Sequence, residues 1–101
     1  MKRNVETLYS DLRRILNDSF DWSAKKKGAQ RHGQGGLPWD QQRHATIGNA
    51  VGRGFALGQA LKKIMESEGM DAQAAINELH GAITYLASAV YMIEQEEPGD
   101  R

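Results

Sequence analysis

The sequence predicts an all-α fold: an N-terminal helix and a helical hairpin of two long helices, forming an oligomeric helical bundle. In three separate segments, apolar residues recur at three- and four-residue spacing, which is the period of an amphipathic helix. Stretches rich in glycine, proline or charge separate these segments. The length of 101 residues, with 40% apolar and 26% charged residues, is typical of one globular domain spanning residues 1–101.

The first predicted helix spans about residues 5–18 and is amphipathic. Its apolar stripe consists of Val5, Leu8, Leu12, Ile15 and Leu16. Asn4 stands directly before it and is a suitable N-cap. Phe20 and Trp22 follow this helix, and we expect both of them to dock onto the core.

A basic, glycine-rich segment at about residues 23–36 follows, and its composition predicts a mobile loop. Its cationic residues include Lys25, Lys26, Lys27 and Arg31, which are candidates for binding a partner or an anionic ligand. Such a cluster can contact phosphate groups, so a nucleic-acid-contacting accessory protein is one alternative function. The formal net charge of zero makes nucleic acid a disfavoured partner.

The second predicted helix runs from about Asp40 to Ser67 and contains the glycine-rich stretch GNAVGRGFALG at residues 48–58. Each glycine costs a helix interior about 1 kcal/mol relative to alanine, so a compensating interaction is expected. The favoured compensation is close approach of a neighbouring helix, with Gly54 and Gly58 facing it.

The competing explanation is that exposed backbone in this stretch contacts a ligand. Trp39, Arg43, His44 and Arg53 lie near one end of the second predicted helix. An aromatic face, two guanidinium groups and an imidazole can hold a small anionic ligand such as a nucleotide. The alternative function is therefore an oligomeric helical binder of such a ligand.

The third predicted helix begins after its N-cap Asp71 and runs to about Gln95. An unbroken apolar seam follows its length at alternating spacings of three and four, formed by Ile76, Leu79, Ile83, Leu86, Val90 and Ile93. Most of the remaining surface of this helix is also uncharged. Two other helices of one chain can hardly cover it, so the seam predicts a homo-oligomer, in the simplest case a dimer.

Residue patterns typical of enzymes and metal sites do not occur in the sequence. No cysteine is present, and the three histidines lack the spacing of metal ligands. Glu78 has no carboxylate partner in its helix, and we expect no serine to have a histidine nearby. The sequence therefore predicts a non-enzymatic protein with no metal and no cofactor.

The remaining features favour a regulatory protein of the cytoplasm. The N-terminal residues are charged where a signal peptide is apolar, and the longest uncharged stretch is too short to span a membrane. Small size, self-association and the missing catalytic set are typical of protein-binding regulators or inhibitors, such as those that bacteriophages encode. For a protein of that origin, the expected compartment is the host cytoplasm.

Overall fold

The computed structural model describes residues 4–26 and 36–96, and the secondary structure in these ranges is helical, with no strand. The elements in chain order are α1 (Val5–Leu8), α2 (Ser10–Lys25), a 3-10 helix (Trp39–Gln41), α3 (Arg43–Val51), α4 (Gly54–Ser67) and α5 (Ala72–Glu96). The prediction of an all-α chain is confirmed, but five α-helices and a 3-10 helix occupy the described ranges where three helices were expected. In these ranges no helix has the length and apolarity needed to cross a membrane.

The first predicted helix is divided at Tyr9 and extends further than expected. Asn4 caps α1 as predicted, because its side-chain oxygen accepts a hydrogen bond of 2.9 Å from the amide of Thr7. The second part, α2, continues to Lys25 instead of ending near residue 18. The segment predicted to be a loop from residue 23 therefore starts inside a helix, and its residues 27–35 lie outside the described part of the chain.

The C-terminal half of α2 packs on α5 through one face only. Ser19 and Trp22 are buried there, whereas Phe20 is 63% exposed. The expectation that both aromatic residues dock onto the core is therefore wrong for Phe20. Residues two apart on a helix point about 200° away from each other, so a single packing face cannot take both.

The N-terminal part of the chain forms an arm whose apolar stripe faces solvent. Every residue from Asn4 to Asp18 is exposed. Val5 is 67% exposed and Leu12 is 53% exposed, so the predicted stripe exists but contacts no core within the chain. We call residues 4–18 the N-terminal arm.

The second predicted helix is interrupted at Gly52, where α3 ends and the chain turns into α4. Gly52 has a φ of 92°, in a region that favours glycine because other residues have a Cβ that clashes there. Its amide donates a hydrogen bond of 2.7 Å to the carbonyl of Gly48. The glycine-rich stretch therefore makes a break between two helices, which the periodicity did not predict.

Close packing occurs at other glycines than the sequence suggested. A Cβ at Gly48 would lie 2.6 Å from Sδ of Met92, so α5 approaches α3 closely there. Gly54 and Gly58 would meet no atom within 4 Å. The expectation that these two glycines face a neighbouring helix is wrong within the chain, because they lie on the outer side of α4.

Helices α4 and α5 form an antiparallel hairpin that is held together by small side chains. Asp71 caps α5 as predicted, accepting a hydrogen bond of 2.9 Å from the amide of Ala74. In the described ranges, the buried apolar side chains are Trp22, Ala45, Ala56, Ala60, Ala82, Ala89 and Met92. Most of these are alanines, so the large aliphatic residues of the hairpin lie elsewhere.

The large aliphatic residues of α5 point outward. Of the predicted seam, Ile83 is half-buried, and the other five residues are exposed by 37% to 56%. The side of α5 that faces the other helices instead carries Gly81, Ala82, Ser88, Ala89 and Met92. Apart from Met92, the inner side of α5 therefore carries small buried residues, whereas its large aliphatic residues lie on the outer side.

Candidate functional site

A half-open cleft of about 290 Å³ lies between the C-terminal end of α2, the 3-10 helix, α3, α4 and α5. Aromatic side chains form much of its wall, namely Trp22, Trp39, Phe55 and Tyr85. Polar side chains complete the wall, among them Arg43, His44, Lys63 and Ser88. Apolar walls with a few polar groups are typical of small-molecule sites.

The aromatic walls are fixed by ring-to-ring contacts. The ring centroids of Trp39 and His44 lie 4.4 Å apart, and those of Trp39 and Tyr91 lie 5.8 Å apart in an edge-to-face arrangement. On another part of the wall, Phe55 and Tyr85 meet edge to face at 6.1 Å. These contacts join the 3-10 helix to α5 and α4 to α5, so contacts within the chain hold the aromatic wall in place.

His44 is held by two hydrogen bonds that define its protonation. Its Nε2 lies 2.7 Å from the carbonyl oxygen of Trp39, which can only accept, so Nε2 carries a hydrogen and donates. Burial lowers the pKa of His44 below its ordinary value, against smaller raising effects of that hydrogen bond and of Asp40. The ring is therefore neutral at pH 7, and its Nδ1 accepts a hydrogen bond from Ser88 Oγ at 2.6 Å.

The expectation that no serine has a histidine nearby is wrong. Besides the Ser88–His44 pair, Ser19 Oγ on α2 lies 2.6 Å from Nδ1 of His80 on α5. Both pairs join residues that are far apart in the sequence, so spacing along the chain could not reveal them. Both serines are at least 98% buried, so their hydroxyls link helices inside the packing.

A nearly buried ion pair borders the cleft. Nζ of Lys63 on α4 lies 3.7 Å from a carboxylate oxygen of Glu78 on α5, and the two side chains are 12% and 14% exposed. The stem of Lys63 crosses Gly81, where an added Cβ would lie 3.1 Å from its Cδ. The glycine thus makes room for the side chain of Lys63, a residue that lines the cleft.

Trp22 contributes an unsatisfied donor. Its side chain is 94% buried, and within the described residues its indole Nε1 has no hydrogen-bond partner. A buried N–H group without an acceptor costs about 1–3 kcal/mol. A residue of the cleft wall therefore carries a buried N–H group that has no acceptor among the described residues.

The structure brings together only part of the residue set predicted to bind a partner or ligand. Trp39, Arg43 and His44 line the cleft. Arg53 does not, and its guanidinium lies 3.8 Å from a carboxylate oxygen of Glu96. Arg43 and Arg53 were expected on one continuous helix. Gly52 breaks that helix, so the two arginines do not share a helix face.

The basic cluster is likewise separate from the cleft where the structure describes it. Lys25 forms an ion pair of 3.3 Å with Asp21, and Lys26 is exposed. Lys27 and Arg31 lie outside the described residues. The nucleic-acid alternative stays a prediction, since nothing in the described ranges tests it.

Several cleft residues were not singled out from the sequence. Phe55, Gln59 and Lys63 follow each other at four-residue spacing on α4, and this spacing places them on one helix face. This spacing is visible in the sequence, but it does not distinguish a cleft wall from an ordinary packing face. Trp22 carried no signal for a site, because its position depends on how α2 packs on α5.

Comparison with known proteins gives no relative from which a function could be carried over. No protein-family model matches the chain, and no similar curated protein and no similar solved structure is found. In the described ranges, no group of three or more histidine, cysteine, aspartate or glutamate residues is placed to hold a metal ion. The function of this chain is therefore inferred from its own residues.

Proposed function

We propose that this chain is a small, non-enzymatic helical homodimer that regulates or inhibits another protein by binding it. The observation that supports dimerisation is the outward face of α5. There, Leu86 is 44% exposed and Val90 is 56% exposed, whereas the buried face consists of alanine, glycine and serine together with Met92. These exposed aliphatic side chains can still gain free energy if another helix covers them.

The free energy available from covering this seam is large. Burying a Val, Leu or Ile side chain completely is worth about 1.5–3 kcal/mol relative to leaving it exposed. Five exposed seam residues lie along one helix face, and contiguous apolar patches of this kind mark interaction surfaces. Their partial burial against another helix would offset the entropy lost on association.

A second copy of the chain is the occupant that fits the seam. The six residues occupy alternating a and d positions of a heptad pattern, with Ile76, Ile83 and Val90 at a. Position d holds Leu79, Leu86 and Ile93. β-Branched residues at a, combined with mainly leucine at d, favour two-stranded, parallel coiled coils. An identical helix presents the complementary pattern, so the seam is suited to pair with itself.

The N-terminal arm is the surface that we assign to the other protein. It stands apart from the α5 seam in the chain, and its exposed stripe includes Leu8, Leu12 and Leu16. An amphipathic helix with apolar residues at three- and four-residue spacing is suited to lie in an apolar groove of a partner. Exposed ion pairs such as Arg14–Asp18, at 3.4 Å, support the opposite side of this helix.

Dimerisation is tested with the Val90→Lys variant. We expect the unaltered protein to be a dimer at micromolar concentration by sedimentation, and Val90→Lys to be a helical monomer, because the lysine would be buried in the seam. Gln73→Lys adds the same charge to an exposed position of α5 outside the seam and should stay dimeric. A monomeric unaltered protein, or a dimeric Val90→Lys variant, would overturn this part of the proposal.

Partner binding is tested with a photo-crosslinking residue placed at Leu12, on the apolar stripe of the arm. Placement at Asp11, whose side chain is 92% exposed beside that stripe, provides the matched control. We expect one heterologous crosslinked species from position 12 and none from position 11. Crosslinks from position 12 to a second copy of this chain alone would reassign the arm to self-association.

A further inference from the structure

We infer that the cleft between α2, α3, α4 and α5 is a binding site for a small planar aromatic anion. This goes beyond the proposed function, because dimerisation and partner binding use the α5 seam and the N-terminal arm. The cleft residues Tyr85 and Ser88 lie on a different face of α5 from the seam residues Leu86 and Val90.

The unsatisfied donor supplies the first argument. Trp22 is 94% buried in the wall, and its Nε1 hydrogen has no acceptor among the described residues. A carboxylate or phosphate oxygen is the acceptor that an N–H group binds most strongly. Nε1 has less than 1 Å² of accessible surface, so a ligand oxygen would reach it only where the wall opens beside the indole ring, and such a contact would remove the cost of the buried donor.

The charges on the wall supply the second argument. Arg43 and Lys63 line the cleft, and no aspartate or glutamate is among its described lining residues. Glu78 lies 3.7 Å from Nζ of Lys63, which is longer than the ~2.7–2.9 Å of a charge-assisted hydrogen bond. The ammonium group can therefore donate to a ligand in addition to its ion pair with Glu78. The guanidinium of Arg43 already interacts within the chain, and its five N–H donors can serve more than one acceptor.

Two titratable groups of the cleft wall, His44 and Tyr85, are uncharged at pH 7. His44 is neutral at pH 7 and directs both ring nitrogens into hydrogen bonds within the chain. Burial raises the pKa of Tyr85, so its phenol stays protonated and uncharged. Arg43 and Lys63 are therefore the charged residues of the described lining, while Glu78 beside Lys63 and Asp40 near His44 reduce the positive charge around the cleft.

The shape and walls of the cleft select a flat ring. Trp39, Phe55 and Tyr85 present aromatic surface, and Trp39 is still 38% exposed, so a ring can stack on it. The volume of about 290 Å³ is at the lower end of the range for small-molecule sites. An aromatic carboxylate and a nucleoside monophosphate both combine a flat ring with an anionic group.

The two tryptophans of the chain allow a direct test, because both line the cleft. Their two indole N–H signals are followed by NMR while 2-naphthoate, adenosine monophosphate or the neutral 2-naphthamide is added. We expect saturable shifts of the Trp22 signal with at least one of the anions, and binding of 2-naphthamide at least about tenfold weaker than that of 2-naphthoate. The anion that binds more tightly shows whether the site prefers an aromatic carboxylate or a nucleoside monophosphate.

Absence of saturable shifts with both anions would overturn the inference, as would equal binding of 2-naphthoate and 2-naphthamide. Two variants then locate the site by calorimetry. Arg43→Gln should weaken anion binding at least about tenfold, whereas Arg53→Gln removes an arginine outside the cleft and should leave it unchanged. Equal binding by Arg43→Gln and the unaltered protein, or an equal loss in both variants, would also overturn the inference.

Binding by the monomeric Val90→Lys variant separates the two proposals. The seam and the cleft occupy different faces of α5, so this variant should bind the anion as the unaltered protein does. Loss of anion binding in a folded Val90→Lys monomer would overturn the assignment of the site to a single chain. Retained binding would support the cleft even if the protein fails to dimerise.

Discussion

The hydroxyl oxygen of Ser88 lies 2.6 Å from Nδ1 of His44, so a hydrogen bond joins α5 to α3 at the wall of the cleft. Two helical turns earlier on α5, His80 forms the corresponding contact with Ser19 on α2. Each pair couples a buried hydroxyl to an imidazole. Helix α5 is thereby hydrogen-bonded to α2 and to α3, two of the helices that border the cleft.

The first prediction concerns acid stability. Burial keeps the pKa of His44 below its ordinary value of 6.5, so the unfolded chain binds this proton more readily than the folded chain. Stability should therefore be fully present above the unfolded pKa and fall as the pH drops below about 6.5. We expect a lower thermal midpoint at pH ~5.5 than at pH ~7.5, and a smaller difference in His44→Gln.

Ser88→Ala is the matched control for this prediction, because it retains the titrating imidazole but removes its hydrogen-bond donor. It should lower stability by about 1–3 kcal/mol at pH 7, since Nδ1 would be left without a partner. An unchanged pH difference in a folded His44→Gln variant would contradict the assignment of acid sensitivity to His44.

The second prediction distinguishes the two kinds of glycine. Gly48→Ala should destabilise the chain by about 1–3 kcal/mol, because the new Cβ would overlap the buried side chain of Met92. Gly58→Ala should instead stabilise it by up to about 1 kcal/mol through helix propensity, since it meets no atom within 4 Å. Urea denaturation measures both, and stabilisation by Gly48→Ala would show that Met92 moves aside freely.

The third prediction concerns the Lys63–Glu78 ion pair. Removing one partner of a fully buried pair costs about 3–5 kcal/mol, and slight exposure reduces this to about 1–3 kcal/mol for Lys63→Met. Arg53→Gln breaks the exposed pair with Glu96 and should change the free energy of unfolding by less than about 1 kcal/mol. Equal effects in the two variants would contradict the distinction between the pairs.

The fourth prediction concerns helix orientation in the dimer. The chain has no cysteine, so Ile76→Cys introduces a single thiol at a seam position that is 48% exposed. In a parallel pair, equivalent a positions lie opposite each other, and mild oxidation should link two Ile76→Cys chains. Gln73→Cys, outside the seam, should crosslink much less.

An antiparallel pair would give a different pattern. There, position 76 of one chain would lie near position 93 of the other. A mixture of Ile76→Cys and Ile93→Cys would then form the mixed disulfide while neither variant linked to itself. That result would refute the parallel arrangement and retain the dimer.

Local pattern in the sequence was sufficient for the helical class, the caps at Asn4 and Asp71 and the apolar seam of α5. These features depend on interactions between residues within about one or two helical turns, so periodicity and cap chemistry predict them. The same reasoning placed Trp39, Arg43 and His44 close together, because they are near one another in the chain.

Only the tertiary structure decided the break at Gly52, the contact of Gly48 with Met92 and the composition of the cleft. A glycine can supply flexibility, a close approach or a turn, and its local sequence does not distinguish between these. Trp22, Lys63 and Ser88 come from three helices that meet only after packing. The sequence determined which helix faces are apolar, whereas the packing of small residues between α4 and α5 decided that the large residues remain outside.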